Sequence, residues 1–171
     1  TRRAGVSPAA AYRHFASHEE LQLAVGALAI ADLARSIEAY QAGADDPVPA
    51  VRARQRLVGV GEGYIAFALD SPGAFNIALS GLFTMEYAFA PDTMGETGRT
   101  PFELLTDAIA DLVGLGLLSA DRAELAAITC WSTVHGFATL ATRGPLRAHP
   151  RPELDARGAR IVHGLVDALL R

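Results

Sequence analysis

The sequence contains no lysine and has a single cysteine among its 171 residues. Cys130 cannot form a disulfide within the chain, which fits a protein that folds in a reducing compartment. No apolar run reaches the roughly 18 to 20 residues that a membrane-spanning helix needs, and no signal peptide is recognisable. These absences predict a cytoplasmic protein without a membrane partner.

Alternation of apolar and polar residues, the mark of a half-buried strand, is also lacking. Gly and Pro instead separate segments with helical spacing, and half of the residues are hydrophobic, which is enough for a core. We therefore predict an all-α protein with an exposed, mobile loop over 88–100. The predicted helices span about 18–41, 49–69, 73–87, 101–118, 121–142 and 153–170.

Acidic residues are missing from one end of the chain. Residues 1–18 carry five Arg and His side chains and no acid, whereas residues 19–46 carry six acids and one arginine. The net charge of −4 argues against a protein that coats nucleic acid. A basic tip on an acidic body suits a protein that contacts phosphate at one end only.

The basic end contains the most specific motif. Gly5 suits a tight turn, Ser7 is a favourable N-cap, and Pro8 fits the first position of a short helix. A tight turn followed by a short capped helix is the second half of a helix-turn-helix, the part that enters the major groove of DNA.

This segment resembles the recognition helix of the TetR family of bacterial transcription regulators. The resemblance rests on Ala4-Gly5-Val6-Ser7, on Tyr12-x-x-Phe15, and on His18-Glu19-Glu20-Leu21. It implies a set of DNA-contacting residues: Arg3, Ser7, Pro8, Ala9, Tyr12, Arg13, His14 and His18. Pro8, Ala9 and Ala10 are apolar and offer no side-chain hydrogen bonds to bases. We therefore expect contacts with thymine methyl groups and DNA shape to contribute more to sequence recognition than hydrogen bonds to bases.

The chain starts inside the helix that precedes the recognition helix, and it does not start with Met, so we expect further residues before Thr1. Residues 1–17 are then the remainder of the helix-turn-helix domain, and residues 18–171 form a helical-bundle domain for ligand binding and dimerisation. His18 stands where relatives usually carry a lysine that contacts the DNA backbone. Either the affinity for DNA rises as the pH falls through the histidine range near 6.5, or His18 is an exposed cap residue without a role.

A second motif, Trp131-x-x-x-His135-Gly136, resembles the C-terminal ligand-binding domain named after those residues, the WHG domain, in one branch of the family. Trp131 offers a flat wall, and His135 offers a polar anchor in an apolar pocket. The alternative is a core histidine that bonds to a backbone carbonyl.

In relatives the middle helices enclose a cavity for a small, mostly apolar effector. The predicted ligand-binding residues are Tyr64, Phe67, Phe75, Leu82, Phe83, Phe102, Leu105, Trp131 and His135; each is equally compatible with ordinary core packing. The glycines between Gly59 and Gly63 do not form a phosphate loop, since no strand precedes them and no lysine follows. They indicate close helix contact or space for a ligand.

The helix over 121–142 is apolar nearly all round, and the last helix has a wide apolar face, so we predict a two-fold homodimer through these two helices. The resemblance implies a one-component repressor that a small apolar effector releases from a palindromic operator. Alternatives are an activator, a regulator with a vestigial pocket controlled by a protein partner, and, least favoured, an enzyme or carrier. We expect no catalytic site, no cofactor and no metal; His14 and His18 have no third ligand nearby.

Overall fold

The computed structural model describes residues 15–78 and 90–171, and within these ranges it contains α-helices and no β-strand. The prediction of an all-α fold is therefore confirmed. Three short 3-10 turns connect the helices, at Pro91–Thr93, Ala120–Arg122 and Pro145–Ala148. The helices are α1 His18–Gln41, α2 Pro49–Asp70, α3 Pro72–Ala78, α4 Pro101–Gly114, α5 Ala123–Thr142 and α6 Arg151–Leu169.

Helix α2 is the centre of the bundle and packs against α1, α3, α4, α5 and α6. From Leu57 to Ala68 every residue of α2 except Glu62 is buried. A helix surrounded by others loses the polar face that an amphipathic pattern requires. The core therefore forms around α2, and side chains of α2 are available to any site between the helices.

Two glycines of α2 allow this dense packing. A Cβ atom built on Gly63 would lie 2.7 Å from Ile37 Cα of α1, so the two helices meet backbone to backbone. The Ser36 hydroxyl donates a hydrogen bond to the Gly63 carbonyl at this contact, over 2.8 Å. On the opposite side, a Cβ on Gly61 would meet Val162 of α6 at 2.8 Å. The sequence left two interpretations of these glycines, close helix contact or space for a ligand, and the structure shows close helix contact.

Capping residues set the helix starts. Ser17 caps α1 by accepting a hydrogen bond from the Glu20 backbone N–H, and Thr100 forms a reciprocal capping box with Glu103 at the start of α4. Both starts agree with the sequence prediction. The end of α4 does not, because the helix stops at Gly114 rather than near Leu118. Gly116 adopts a positive φ of 69°, and the bond from Leu117 N–H to Leu112 O completes a Schellman motif.

Residues 90–100 of the predicted exposed loop are partly buried and hydrogen-bonded to α1. Thr93 and Thr100 are fully buried, so the prediction of exposure is wrong for them. The loop is attached to α1 by the Glu38 carboxylate, which accepts hydrogen bonds from the Glu96 N–H at 3.0 Å and the Thr97 N–H at 2.9 Å. The predicted helix over 73–87 begins at Pro72 and is described as far as Ala78; its remainder lies outside the described residues.

Helix α6 starts two residues earlier than predicted and buries a different line of residues. The spacing of apolar residues in the sequence predicts one apolar side made of Leu154, Ile161, Leu165 and Leu169. Leu154 is buried, but the other three lie at the partly buried flank of the core. Gly158 belongs to the buried face of α6 but has no side chain, so it does not contribute to the apolar pattern. The pattern therefore placed the buried face about one residue away from its true position. The line against the core consists of Leu154, Gly158, Val162 and Val166.

Candidate effector-binding site

Three of the predicted ligand-binding residues form one aromatic cluster in the core. Tyr64 of α2 and Phe75 of α3 meet edge to face, with ring centroids 5.8 Å apart. His135 of α5 lies 5.9 Å from the Phe75 ring and 6.5 Å from the Tyr64 ring. Three helices thus contribute one ring each to a single aromatic cluster.

A hydrogen-bond chain orders the polar atoms of this cluster. Burial raises the pKa of Tyr64, and a hydrogen bond from Trp131 offsets only part of that shift, so the phenol stays protonated. Its oxygen lies 3.0 Å from His135 Nδ1. This hydrogen bond joins α2 to α5 inside the aromatic cluster. Burial, and to a smaller extent the charge of Arg143, lowers the pKa of His135 and keeps the ring neutral.

His135 is not the core histidine bonded to a backbone carbonyl that we gave as the alternative, and its role as a polar anchor for a ligand stays a prediction. It is held by a side chain, the Tyr64 phenol, and not by a backbone carbonyl. It is also only half-buried, whereas Phe75 is fully buried. The aromatic cluster combines an apolar surface with one half-buried imidazole.

Trp131 extends the cluster towards α4. Its ring centroid lies 5.8 Å from that of Phe102 at an interplanar angle of 60°. Both side chains are partly buried against the core. Since Trp131 also bonds to Tyr64, the surface runs from Phe75 through Tyr64 to Phe102.

The other predicted ligand-binding residues divide into two groups. Phe67 and Leu105 are buried in the main core, and the structure does not bring them to the ring contacts above. Leu82 and Phe83 lie outside the described residues.

Sequence reasoning missed polar groups next to the aromatic cluster. The Thr139 hydroxyl oxygen is buried and has no hydrogen-bond partner among the described residues. The same holds for the side-chain oxygen of Asn76, the residue after Phe75. The spacing His135, Thr139, Arg143 was visible in the sequence and indicates a shared helix face.

The described residues offer little for catalysis. Burial raises the pKa of the Cys130 thiol to about 11, so it is not a nucleophile at neutral pH. No group of three His, Cys, Asp or Glu side chains in residues 15–78 and 90–171 has the arrangement of a metal site. In the same ranges, no helix combines the length and apolar character needed to cross a membrane.

The predicted DNA-contacting residues Arg3, Ser7, Pro8, Ala9, Tyr12, Arg13 and His14 lie outside the described residues. His18, the remaining one, is exposed at the first position of α1, directly after the Ser17 cap. Its side chain is thus accessible at the basic end of the chain.

Comparison with known proteins agrees with this architecture. Residues 57–169 match the family model described as "Tetracyclin repressor-like, C-terminal domain", which is well over half of the chain. No curated protein matches the sequence. A solved structure of a protein with unknown function from Rhodococcus sp. RHA1 superposes with a TM-score of 0.73 at 24% identity, covering 99% of this chain and 82% of that one, and supports the fold. The chain therefore belongs to the tetracyclin repressor-like (TetR) family of transcriptional regulators.

Proposed function

We propose that the protein is a dimeric one-component repressor, which a small apolar effector releases from a palindromic operator. In this proposal residues 1–17 belong to the helix-turn-helix domain, and residues 18–171 bind the effector and dimerise. The observation that carries the proposal is the Tyr64–Phe75–His135 aromatic cluster, since all three residues lie within the region matched to the repressor-like C-terminal domain. We propose no enzymatic activity.

The case for DNA binding comes from the sequence. The Ala4–Leu21 segment resembles a TetR recognition helix, and its basic side chains stand at the end of an otherwise acidic chain. Trp131, His135 and Gly136 favour the WHG branch of the family for the effector domain. The exposed position of His18 is compatible with contact to the DNA backbone.

Helix α1 would transmit effector binding to DNA. It begins directly after the DNA-binding segment, and its other end meets α2 backbone to backbone at Gly63. Tyr64 is the next residue of α2, so a shift of Tyr64 on effector binding would act on α1 at that contact. Two recognition helices must lie about 34 to 36 Å apart to enter successive major grooves. Moving the equilibrium from 1:99 to 99:1 takes about 5.5 kcal/mol of differential effector affinity.

The dimer proposal is supported by the outer face of α5. Leu125 is 67% exposed and Ile128 is 50% exposed, and Leu140 lies on the same face. A Cβ on Gly136, between them, would meet nothing within 4 Å, which leaves room for a second helix to approach closely. A second copy of this chain would bury this apolar face, as isologous dimers do.

Two matched variants test the dimer by sedimentation velocity. Ile128→Glu places a charge in the proposed interface and is expected to convert the dimer to a monomer. Val51→Glu, at a 40% exposed position in the first turn of α2, is the control and should leave the dimer intact. Equal sedimentation of both variants would contradict an interface on α5.

The experiment that tests the function uses the protein with its N-terminal helices restored. We would titrate it against the DNA upstream of its own gene, with scrambled competitor, at two salt concentrations. Selective binding that weakens as salt rises is expected, because phosphate contacts release counterions. Binding without sequence preference, together with a failed genome-wide search for sites, would refute the repressor proposal.

A further inference from the structure

A cleft of about 240 Å³ opens on the surface between α1, α2 and α6. It is smaller than the roughly 300 to 1,000 Å³ of a pocket for a drug-sized ligand, so it suits a small molecule. None of the described residues that line it belongs to α5, so the cleft is separate from the proposed dimer face on that helix. The lining consists of Tyr40 of α1, Glu62, Ile65 and Ala66 of α2, and Arg151, Asp155, Gly158 and Ala159 of α6.

The floor of the cleft is apolar and its rim is polar. Ile65, Ala66 and Gly158 are buried, and α6 lies so close to α2 here that a Cβ on Gly158 would be 3.1 Å from Ile65. At the rim, Tyr40 is 47% exposed and the Glu62 side chain is 28% exposed. A ligand in the cleft would therefore place an apolar part against the floor and a polar group at the rim.

Arg151, the one cation in the described lining, already has two partners. Its Nη1 donates a hydrogen bond to the Asp70 carboxylate over 2.5 Å, and its Nε donates to the Asp155 carboxylate over 2.7 Å. These two carboxylates outweigh the charge of the guanidinium by one. An anionic ligand would have to compete with both of them, so Arg151 does not favour an anion in the cleft.

The Glu62 carboxylate has the weakest charge compensation in the cleft. Its described partner is His163 Nε2 at 3.3 Å, which offsets the carboxylate charge only when the imidazole is protonated. The N-terminus of α6 adds about half a positive charge near Arg151. Even with this contribution, the three carboxylates outweigh the one guanidinium, and the cleft remains acidic.

Tyr40 adds an aromatic ring to this acidic rim. The electron-rich face of a tyrosine ring attracts cations. A protonated amine could therefore be stabilised both by the Glu62 carboxylate and by the Tyr40 ring. A short alkyl chain attached to the amine would cover the apolar floor, which removes apolar surface from water.

We propose that the cleft binds a small organic cation, a primary ammonium with a short apolar chain. The ammonium donates hydrogen bonds to the Glu62 carboxylate beside the Tyr40 ring, and the chain lies against Ile65, Ala66 and Gly158. This site shares no residue with the Tyr64–Phe75–His135 aromatic cluster, so it does not depend on the proposed effector site.

Amide chemical shifts of the isotope-labelled full-length protein test the site. Hexylammonium, hexanol and hexanoate are titrated separately, since they carry the same chain with a positive, a neutral and a negative head group. Hexylammonium is expected to bind at least about tenfold more tightly than the other two, a difference of about 1.4 kcal/mol. The largest shifts should fall on the backbone N–H groups of Ala66, Gly158 and Ala159.

Two glutamate variants locate the ammonium. Glu62→Gln should lower hexylammonium affinity about tenfold and leave hexanol affinity unchanged. Glu153→Gln is the matched control, because it removes the same charge at a residue that pairs with His149 and Arg157 and is not part of the cleft lining. His163→Gln should bind hexylammonium at least as tightly as the unmodified protein, because the imidazole competes with the ammonium for Glu62.

A change at Tyr40 tests the aromatic contribution. Tyr40→Leu removes the ring but keeps an apolar side chain, and it should lower hexylammonium affinity by about two- to fivefold, the effect of one exposed cation–π contact. Tyr40→Phe keeps the ring and should bind like the unmodified protein. Circular dichroism checks that every variant is folded.

Three results would overturn the cation site: equal affinity for hexylammonium and hexanol, equal effects of Glu62→Gln and Glu153→Gln, or no shift of the Ala66, Gly158 and Ala159 amides with hexylammonium. None of them decides the repressor proposal, which is measured separately by binding to operator DNA. Failure of operator binding would likewise leave the cation site standing.

Discussion

Gly63→Ala tests how tightly α1 and α2 are coupled. The added Cβ would lie 2.7 Å from Ile37 Cα and 2.8 Å from the Ser36 carbonyl oxygen, whereas ordinary contact begins near 3.4 Å. Both obstacles are backbone atoms, so no side-chain rotation relieves them. The two helices must separate by about 0.7 Å at this point, the difference between 3.4 and 2.7 Å.

Opposing contributions determine how far Gly63→Ala changes the free energy of unfolding. Alanine favours a helix over glycine by about 1 kcal/mol, which acts to stabilise the variant. Overpacking costs about 1 to 3 kcal/mol, and loss of the Ser36 to Gly63 hydrogen bond costs about 1 kcal/mol more. We expect a net loss of about 1 to 3 kcal/mol in the free energy of unfolding.

Urea unfolding followed by circular dichroism measures this loss. Because the stability of the proposed dimer would depend on concentration, all variants are compared at one protein concentration. Gly73→Ala is the control: its Cβ would meet nothing within 4 Å, so it should be neutral or stabilising by up to about 1 kcal/mol.

Gly61→Ala separates backbone from side-chain obstacles. Its Cβ would meet the two methyl carbons of Val162, so Gly61→Ala should destabilise and a second change, Val162→Ala, should restore part of the loss. If Gly63→Ala were as stable as Gly73→Ala, the close contact of α1 with α2 would be refuted, and with it the proposed route from Tyr64 to the DNA-binding segment.

Three further predictions concern the cap of α4, the α1–loop contact and the buried thiol. Thr100→Val should reduce stability by about 1 kcal/mol in urea unfolding because the capping box is lost, and Thr100→Ser should retain most of it. Burial alone raises the pKa of Glu38, but hydrogen bonds from Thr97 and Glu96 and the charge of Arg35 together lower it. The stabilisation by the Glu38 carboxylate is therefore fully present above the ordinary carboxyl pKa of about 4.3, and it is lost as the pH falls through the lower pKa of the folded state. Glu38→Gln should flatten the dependence of the free energy of unfolding on pH in this range. An unchanged pH dependence would contradict the role given to Glu38. Cys130, buried with a pKa near 11, should react with a thiol reagent at pH 8 only after unfolding, so fast labelling of the native protein would disprove its burial.

Local signals in the sequence were sufficient for fold class and most helix starts. The side chains of Ser17 and Thr100 cap backbone N–H groups three residues further on, so these helix starts do not depend on what packs nearby. The end of α4 depends on Gly116 adopting a positive φ, which is also local, and sequence reasoning overlooked it. The TetR resemblance likewise rests on side chains in sequence order.

Contacts between distant residues were decided only by the tertiary structure. The Tyr64–His135 hydrogen bond joins residues 71 positions apart, and nothing in either segment specifies the other. Sequence spacing could place His135, Thr139 and Arg143 on one face, but it could not show that the Thr139 hydroxyl is buried without a partner. The reason is physical: helical spacing follows from the backbone, whereas burial and pairing depend on which surfaces of α2 and α5 the whole chain brings together.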